Sequence, residues 1–142
     1  NEAQVNGLTE YDFSGKRILL VEDNALNREI AVELIGDTGA DMETAEDGVE
    51  AVEMFQRSSQ DYYDLVLMDV QMPRMDGCEA TRRIRALDRP DARIVPILAM
   101  TANAFAEDEA KSRAAGMNAH ISKPLDVKTL YATLNAFLSG GA

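Results

Sequence analysis

The chain has 142 residues, enough for one compact domain with a substantial core. Apolar residues make up 46% and charged residues 27%, and 14 basic against 25 acidic residues leave a formal net charge of −11. A surface of that sign repels nucleic-acid backbones and anionic membranes, which argues against direct binding to either. The only cysteine, Cys78, and the only histidine, His120, exclude an internal disulfide and a Cys/His metal cluster, and fit a reducing, cytoplasmic setting. No apolar run approaches the ~20 residues that span a bilayer, and no signal peptide is visible.

Residues 1–15 are polar, aperiodic and closed by Ser14-Gly15, as expected of a tail or incoming linker. A domain is expected over 16–138, followed by a short tail at 139–142. The start at Asn1 without Met and the Ser-Gly-Gly-Ala ending suggest a piece of a longer polypeptide.

Within the domain, short apolar runs alternate with helical stretches. The runs are Ile18–Val21, Met42–Ala45, Leu65–Met68, Ile97–Met100 and Ala119–Ser122, each of strand length. The first, third and fourth are nearly continuous in apolar residues, as strands buried on both faces should be. The second alternates and is expected at an edge. Between them, Leu26, Ile30 and Leu34 recur at i, i+4 and i+8 beside Ala31 and Ile35, and Val49, Val52 and Phe55 recur at i+3. Three further helices are expected at about 77–87, 105–115 and 127–138, the last with a stripe of Val127, Leu130, Leu134, Phe137 and Leu138. Two helix starts share one design, Asp47-Gly-Val-Glu50 and Asp76-Gly-Cys-Glu79, in which Asp caps a free N–H and Glu reaches back.

Strand and helix alternating five times imply an α/β fold, a doubly wound parallel sheet with helices on both faces. Ligands in such sheets bind beyond the carboxyl ends of the strands. The first strand ends in Glu22-Asp23-Asn24, the third in Asp69, the fourth in Thr101, and the fifth leads into Lys123-Pro124. Clustered carboxylates repel one another unless a cation neutralises them, and hard oxygen ligands suit Mg²⁺. A carboxylate at such a site can act as a nucleophile and form an acyl phosphate. Lys123 can draw charge from the phosphoryl oxygens and Thr101 can donate a hydrogen bond to them. Each residue alone has a plainer reading: a helix cap for Asp69 or Thr101, a solvated loop for Glu22-Asp23, a surface charge for Lys123. Their joint occurrence at successive strand ends favours the chemical one.

These motifs carry a resemblance. From about Lys16 to Leu138 the chain resembles response regulator receiver domains, through Ile18-Leu-Leu-Val-Glu-Asp-Asn24, Leu65-Val-Leu-Met-Asp-Val-Gln-Met-Pro73 with Met75-Asp-Gly77, Ala99-Met-Thr-Ala102 and Ile121-Ser-Lys-Pro124. The resemblance implies a five-stranded parallel sheet of order 2-1-3-4-5, the flavodoxin-like receiver fold. It implies Asp69 as phosphoacceptor, with Mg²⁺ held by Asp23, Asp69 and the Gln71 backbone carbonyl, and by Glu22 through water. It further implies Lys123 as the partner of the phosphoryl group, Thr101 as the switch hydroxyl, and a cis Lys123–Pro124 bond. Gln71 and Asn103 stand where the family tunes the lifetime of the acyl phosphate.

His120 occupies a place where the family often has a rotating Tyr or Phe. An imidazole can swing inward and hydrogen bond, but a half-exposed histidine without special role is an equal reading. The implied function is a phosphorelay switch without conventional turnover, which takes a phosphoryl group from a phosphohistidine on a histidine kinase or a histidine phosphotransfer domain. The responsive face would be the helix at 105–115, the fifth strand and the last helix; a weak homodimer is a further expectation. The motif style is that of receivers in hybrid sensor histidine kinases, so the parent chain could be a kinase anchored in a membrane. A free-standing regulator and a phosphorylation-independent interaction module on the same fold are the alternatives. A flavodoxin-like cofactor binder would need a phosphate-cradling loop where Glu22-Asp23-Asn24 stands, and an aspartyl phosphatase would need a second acid at Gln71.

Overall fold

The alternation of apolar runs and amphipathic stretches is realised in the computed structural model, which describes residues 11–70, 72, 75–102 and 106–138. Five strands form: β1 (Arg17–Val21), β2 (Asp41–Ala45), β3 (Leu65–Asp69), β4 (Ile97–Thr101) and β5 (Ala119–Ser122). All pair in parallel, in the order β2-β1-β3-β4-β5. The continuous apolar strands β1, β3 and β4 occupy the centre, while the alternating β2 lies at an edge, as its polarity requires.

Helices cover both faces: α1 (Ala25–Gly36), α2 (Gly48–Arg57), α3 (Gly77–Arg85), α4 (Pro90–Ile94), α5 (Ala106–Ala115) and α6 (Val127–Leu138). Successive strand residues point to opposite faces and divide the core in two. Ile18, Leu20, Leu65, Leu67, Leu98 and Met100 meet Ala31 and Ile35 of α1 and Leu130, Tyr131 and Leu134 of α6. Leu19, Val21, Val66, Met68, Ile97 and Ala99 meet Ala51 and Phe55 of α2, Ala80 and Ile84 of α3, and Ala92 of α4. Each fully buried side chain of this kind stabilises the fold by about 1.5–3 kcal/mol relative to exposure. Phe13 and Tyr11, in the segment expected as a linker, join the first of these cores. Phe13 is buried, its N–H donates to the Thr38 carbonyl at 2.8 Å, and Tyr11 stacks edge-on with Tyr131 at 5.8 Å.

Three local expectations change. In α1 the buried row is Ala31 and Ile35, whereas Leu26 is 64% exposed and Ile30 44% exposed. Both rows have helical spacing, and only the docking angle of α1 on the sheet decides which is covered. Asp47 and Asp76 do cap the N–H groups of Glu50 and Glu79 at 2.9 Å. The return arms differ: Glu50 accepts from Glu46 N, and Glu79 instead pairs with Arg82 and Arg83. The short α4 was not foreseen, although Pro90 suits the first position of a helix. It is held by Arg89, which pairs with the buried Asp91 at 2.8 Å and donates to the carbonyls of Phe55, Ser58 and Ser59.

Candidate functional site at the carboxyl edge of the sheet

Parallel pairing brings the carboxyl ends of the strands to one edge. Asp69 closes β3 opposite Met100, Thr101 closes β4 opposite Ser122, and Glu22 follows the pairing of Val21 with Ala45 and Met68. Gly77 lets α3 begin against the end of β3: a Cβ there would lie 2.3 Å from the Asp69 carbonyl oxygen. Its N–H donates to Val70 O at 2.9 Å, which ties the start of α3 to the residue after β3.

Glu22, Asp69 and Thr101 are buried, Lys123 is half-buried and Asp23 is exposed. The Lys123 ammonium lies 3.0 Å from Glu22 Oε1 and 3.2 Å from Asp69 Oδ1. Its main chain is tied to β4, with Lys123 N donating to Thr101 O at 2.9 Å, and the Lys123–Pro124 bond is cis. Glu22 Oε2 also accepts from Asn24 N at 3.1 Å, and Asn24 caps α1 through Asn27 N. Glu22, Asp23 and Asp69 each offer an oxygen, all within 4.8 Å of one another. His120 is half-buried on β5, in register with Ala99. Gln71 and Asn103 lie outside the described residues.

Burial, followed by the charge of Glu22, lifts the Asp69 carboxyl to about 7, although Lys123 beside it works the other way. Burial disfavours the Lys123 ammonium, but the carboxylates of Glu22 and Asp69 outweigh it and raise its pKa. One ammonium is therefore shared by two buried carboxylates, with a third acid beside them. That oxygen-only, under-neutralised donor set fits a hard divalent cation, whose charge would remove the penalty on Asp69.

Beside the site, a cleft of about 550 Å³ runs between α1 and the segment after β5, lined by Glu22, Ile30, Ala31, Met100, Lys123 and Leu125 among others. Sequence reasoning missed this surface because helical spacing alone does not say whether Ile30 faces the sheet or solvent. It also missed Arg28, which donates to the Glu22 carbonyl at 2.9 Å. The available signal was its place in the first turn of the helix after the acidic pair. No helix among the described residues is long and apolar enough to cross a membrane.

Comparison with known proteins agrees with this geometry. The family model for the response regulator receiver domain matches residues 18–135. The sensor histidine kinase RcsC of Escherichia coli (strain K12) is 37% identical over 126 residues, covering 89% of this chain and 12% of that protein. Histidine kinase 5 of Arabidopsis thaliana is 39% identical over 152 residues, covering 89% of this chain and 16% of that protein. The chain thus spans less than a fifth of these relatives.

Among solved structures, the receiver domain of sensor histidine kinase PA1611 from Pseudomonas aeruginosa PAO1, with a magnesium ion coordinated in its active-site cleft, aligns with a TM-score of 0.79 and 37% identity. That alignment covers 89% of this chain and 99% of the other. A co-crystal structure of the Saccharomyces cerevisiae histidine phosphotransfer protein Ypd1 with the receiver domain of Ssk1 aligns with a TM-score of 0.79 and 26% identity, over 92% of this chain and 93% of the other. The acidic strand ends, the sheet order and the family match converge: the chain belongs to the response regulator receiver domains, the phosphoacceptor modules of two-component signalling.

Proposed function

We propose that Asp69 is the phosphoacceptor, that Lys123 and Thr101 assist it, and that Glu22 and Asp23 complete a Mg²⁺ site with it. The observation that carries this reading is the shared Lys123 ammonium, at 3.0 and 3.2 Å from two buried carboxylates. Asp69 closes the central strand β3, is buried, and lies beside both the ammonium and the acidic pair. A carboxylate oxygen of Asp69 attacks the phosphorus of a phosphohistidine, and the P–N bond breaks as the P–O bond forms. The electron pair leaves with the imidazole nitrogen, which takes up a proton. Lys123 pairs with a phosphoryl oxygen, and the Thr101 hydroxyl donates to another. Asp23 and Asp69, with Glu22 beside them, would hold Mg²⁺, which would supply positive charge at the phosphoryl oxygens. The new group carries about two negative charges, to which Thr101, His120 and α5 respond by a shift between states of different affinity.

The donor belongs to a histidine kinase or histidine phosphotransfer domain, as the Ypd1–Ssk1 receiver complex supports. Exposed Ile30, which lines the cleft with Lys123, and exposed Leu26 one turn before it on α1 give that partner an apolar contact. The relatives, both histidine kinases, support a parent sensor histidine kinase. Asp69→Asn tests the assignment. It is expected to abolish phosphoryl uptake from phosphoramidate in the presence of Mg²⁺ while keeping the fold. Labelling retained at wild-type stoichiometry would overturn it, and a wild type that takes up nothing would favour a phosphorylation-independent module.

A further inference from the structure

The acidic loop Glu22-Asp23-Asn24 lies beyond the last paired residue of β1, and the sheet reaches it through the Glu22 N–H, not through the Glu22 carbonyl that leads into Asp23. Glu22 is nonetheless held on every polar atom. Its N–H donates to Ala45 O at 3.1 Å, Oε1 meets Lys123, and Oε2 accepts from Asn24 N. Its carbonyl oxygen receives Nη1 of Arg28 at 2.9 Å. That oxygen belongs to the planar peptide unit that leads into Asp23, so holding it fixes the plane from which Asp23 departs. The other arm of the guanidinium, Nη2, lies 3.8 Å from the Glu46 carboxylate, in the turn between β2 and α2. Glu46 is itself anchored, since its N–H donates to Glu50 Oε1 at 2.7 Å in α2. A planar fork is suited to hold two acceptors at once.

We propose that Arg28 is a positioning residue, which grips the Glu22 carbonyl, with the exposed Glu46 carboxylate at ion-pair distance from its other arm, and so presents Glu22 and Asp23 to the same cation as Asp69. The proposal rests on the reading of these three acids as the Mg²⁺ site. It assigns α1 a second task besides covering the sheet: the helix that follows the acidic loop reaches back to hold it. Partners that orient metal ligands in this way typically change metal affinity 10–100-fold when removed.

The test is a calorimetric Mg²⁺ titration of the full chain as wild type, Arg28→Met and Arg28→Lys, paired with the Mg²⁺ dependence of phosphoryl uptake from acetyl phosphate. Arg28→Met is expected to weaken Mg²⁺ binding by about tenfold or more. The Mg²⁺ concentration for half-maximal uptake should rise by the same factor, with the rate at saturating Mg²⁺ within roughly twofold of wild type. Arg28→Lys, which retains one donor, should recover most of the affinity. Unchanged affinity in Arg28→Met, or a rate loss that saturating Mg²⁺ does not restore, would overturn the proposal. If Arg28→Met shows no cooperative melt, Arg28→Gln carries the same comparison with the same two outcomes. A wild type that binds no Mg²⁺ would instead sink the underlying assignment of the acids.

Discussion

Replacing Asp69 by asparagine should make the metal-free protein more stable. In the folded chain the Asp69 carboxyl is lifted from 3.8 to about 7, by burial first and the Glu22 charge second. A raised carboxyl penalises the folded state wherever the unfolded chain is ionised. The penalty is absent below 3.8, grows between 3.8 and about 7, and is complete above that value. The full lift corresponds to roughly 4 kcal/mol. Asparagine keeps the shape and removes the charge, but it also gives up the ion pair with Lys123 at 3.2 Å. Lys123 retains Glu22 at 3.0 Å, so the net gain should be about 1–3 kcal/mol. Urea unfolding followed by circular dichroism, in chelator at mildly alkaline pH, measures it directly. The two proteins should converge as the pH falls toward 3.8. Excess Mg²⁺ should stabilise the wild type, by about 2.7 kcal/mol at a hundredfold excess over its dissociation constant, and the variant less. An asparagine variant no more stable than wild type in alkaline chelator would refute this account of the site.

Leu26→Ser with Ile30→Ser should slow phosphoryl transfer from a phosphohistidine partner and leave uptake from acetyl phosphate intact; because both side chains are exposed, stability should change by under about 0.5 kcal/mol for each. Equal losses with both donors would remove α1 from the docking surface. Asp91→Asn should cost about 1.5–3 kcal/mol, since it breaks a charged pair with Arg89 at 2.8 Å. The hydrogen bonds from Arg89 hold the Asp91 carboxyl below 3.8, so this contribution is complete above that value and is lost as pH falls through the lowered one. A stability gap between wild type and variant that stays constant into strong acid would contradict it. Phe13→Ala should cost about 3 kcal/mol in urea melts, because Phe13 is buried in the core shared with α6. A loss of only a few tenths would return residues 11–15 to the status of a loose linker.

Much of this protein was legible in the chain itself. Strand and helix periods differ, 2 against 3.6, and the continuous runs at Ile18, Leu65 and Ile97 could only be central strands. With right-handed crossovers, that pattern alone places Glu22, Asp23, Asp69, Thr101 and Lys123 at one edge. What local pattern could not resolve were choices between equally periodic alternatives. Leu26 and Ile30 have the same helical spacing as Ala31 and Ile35, and only the packing of α1 on the sheet leaves the first row in solvent, with Ile30 on the cleft that Lys123 lines. Glu79 had two sets of partners in reach, and the arginines one turn on took it from the cap. Nothing in the polar run before Gly15 marked Phe13 as core, because the cluster it joins draws on α6, more than a hundred residues away. Arg28 reads as one more surface cation until the fold turns the acidic loop back toward it. Asp69 could be named from sequence because its neighbours along the chain announce a buried strand. That one ammonium serves both Asp69 and Glu22 is a distance across three strands, and only the tertiary structure decides it.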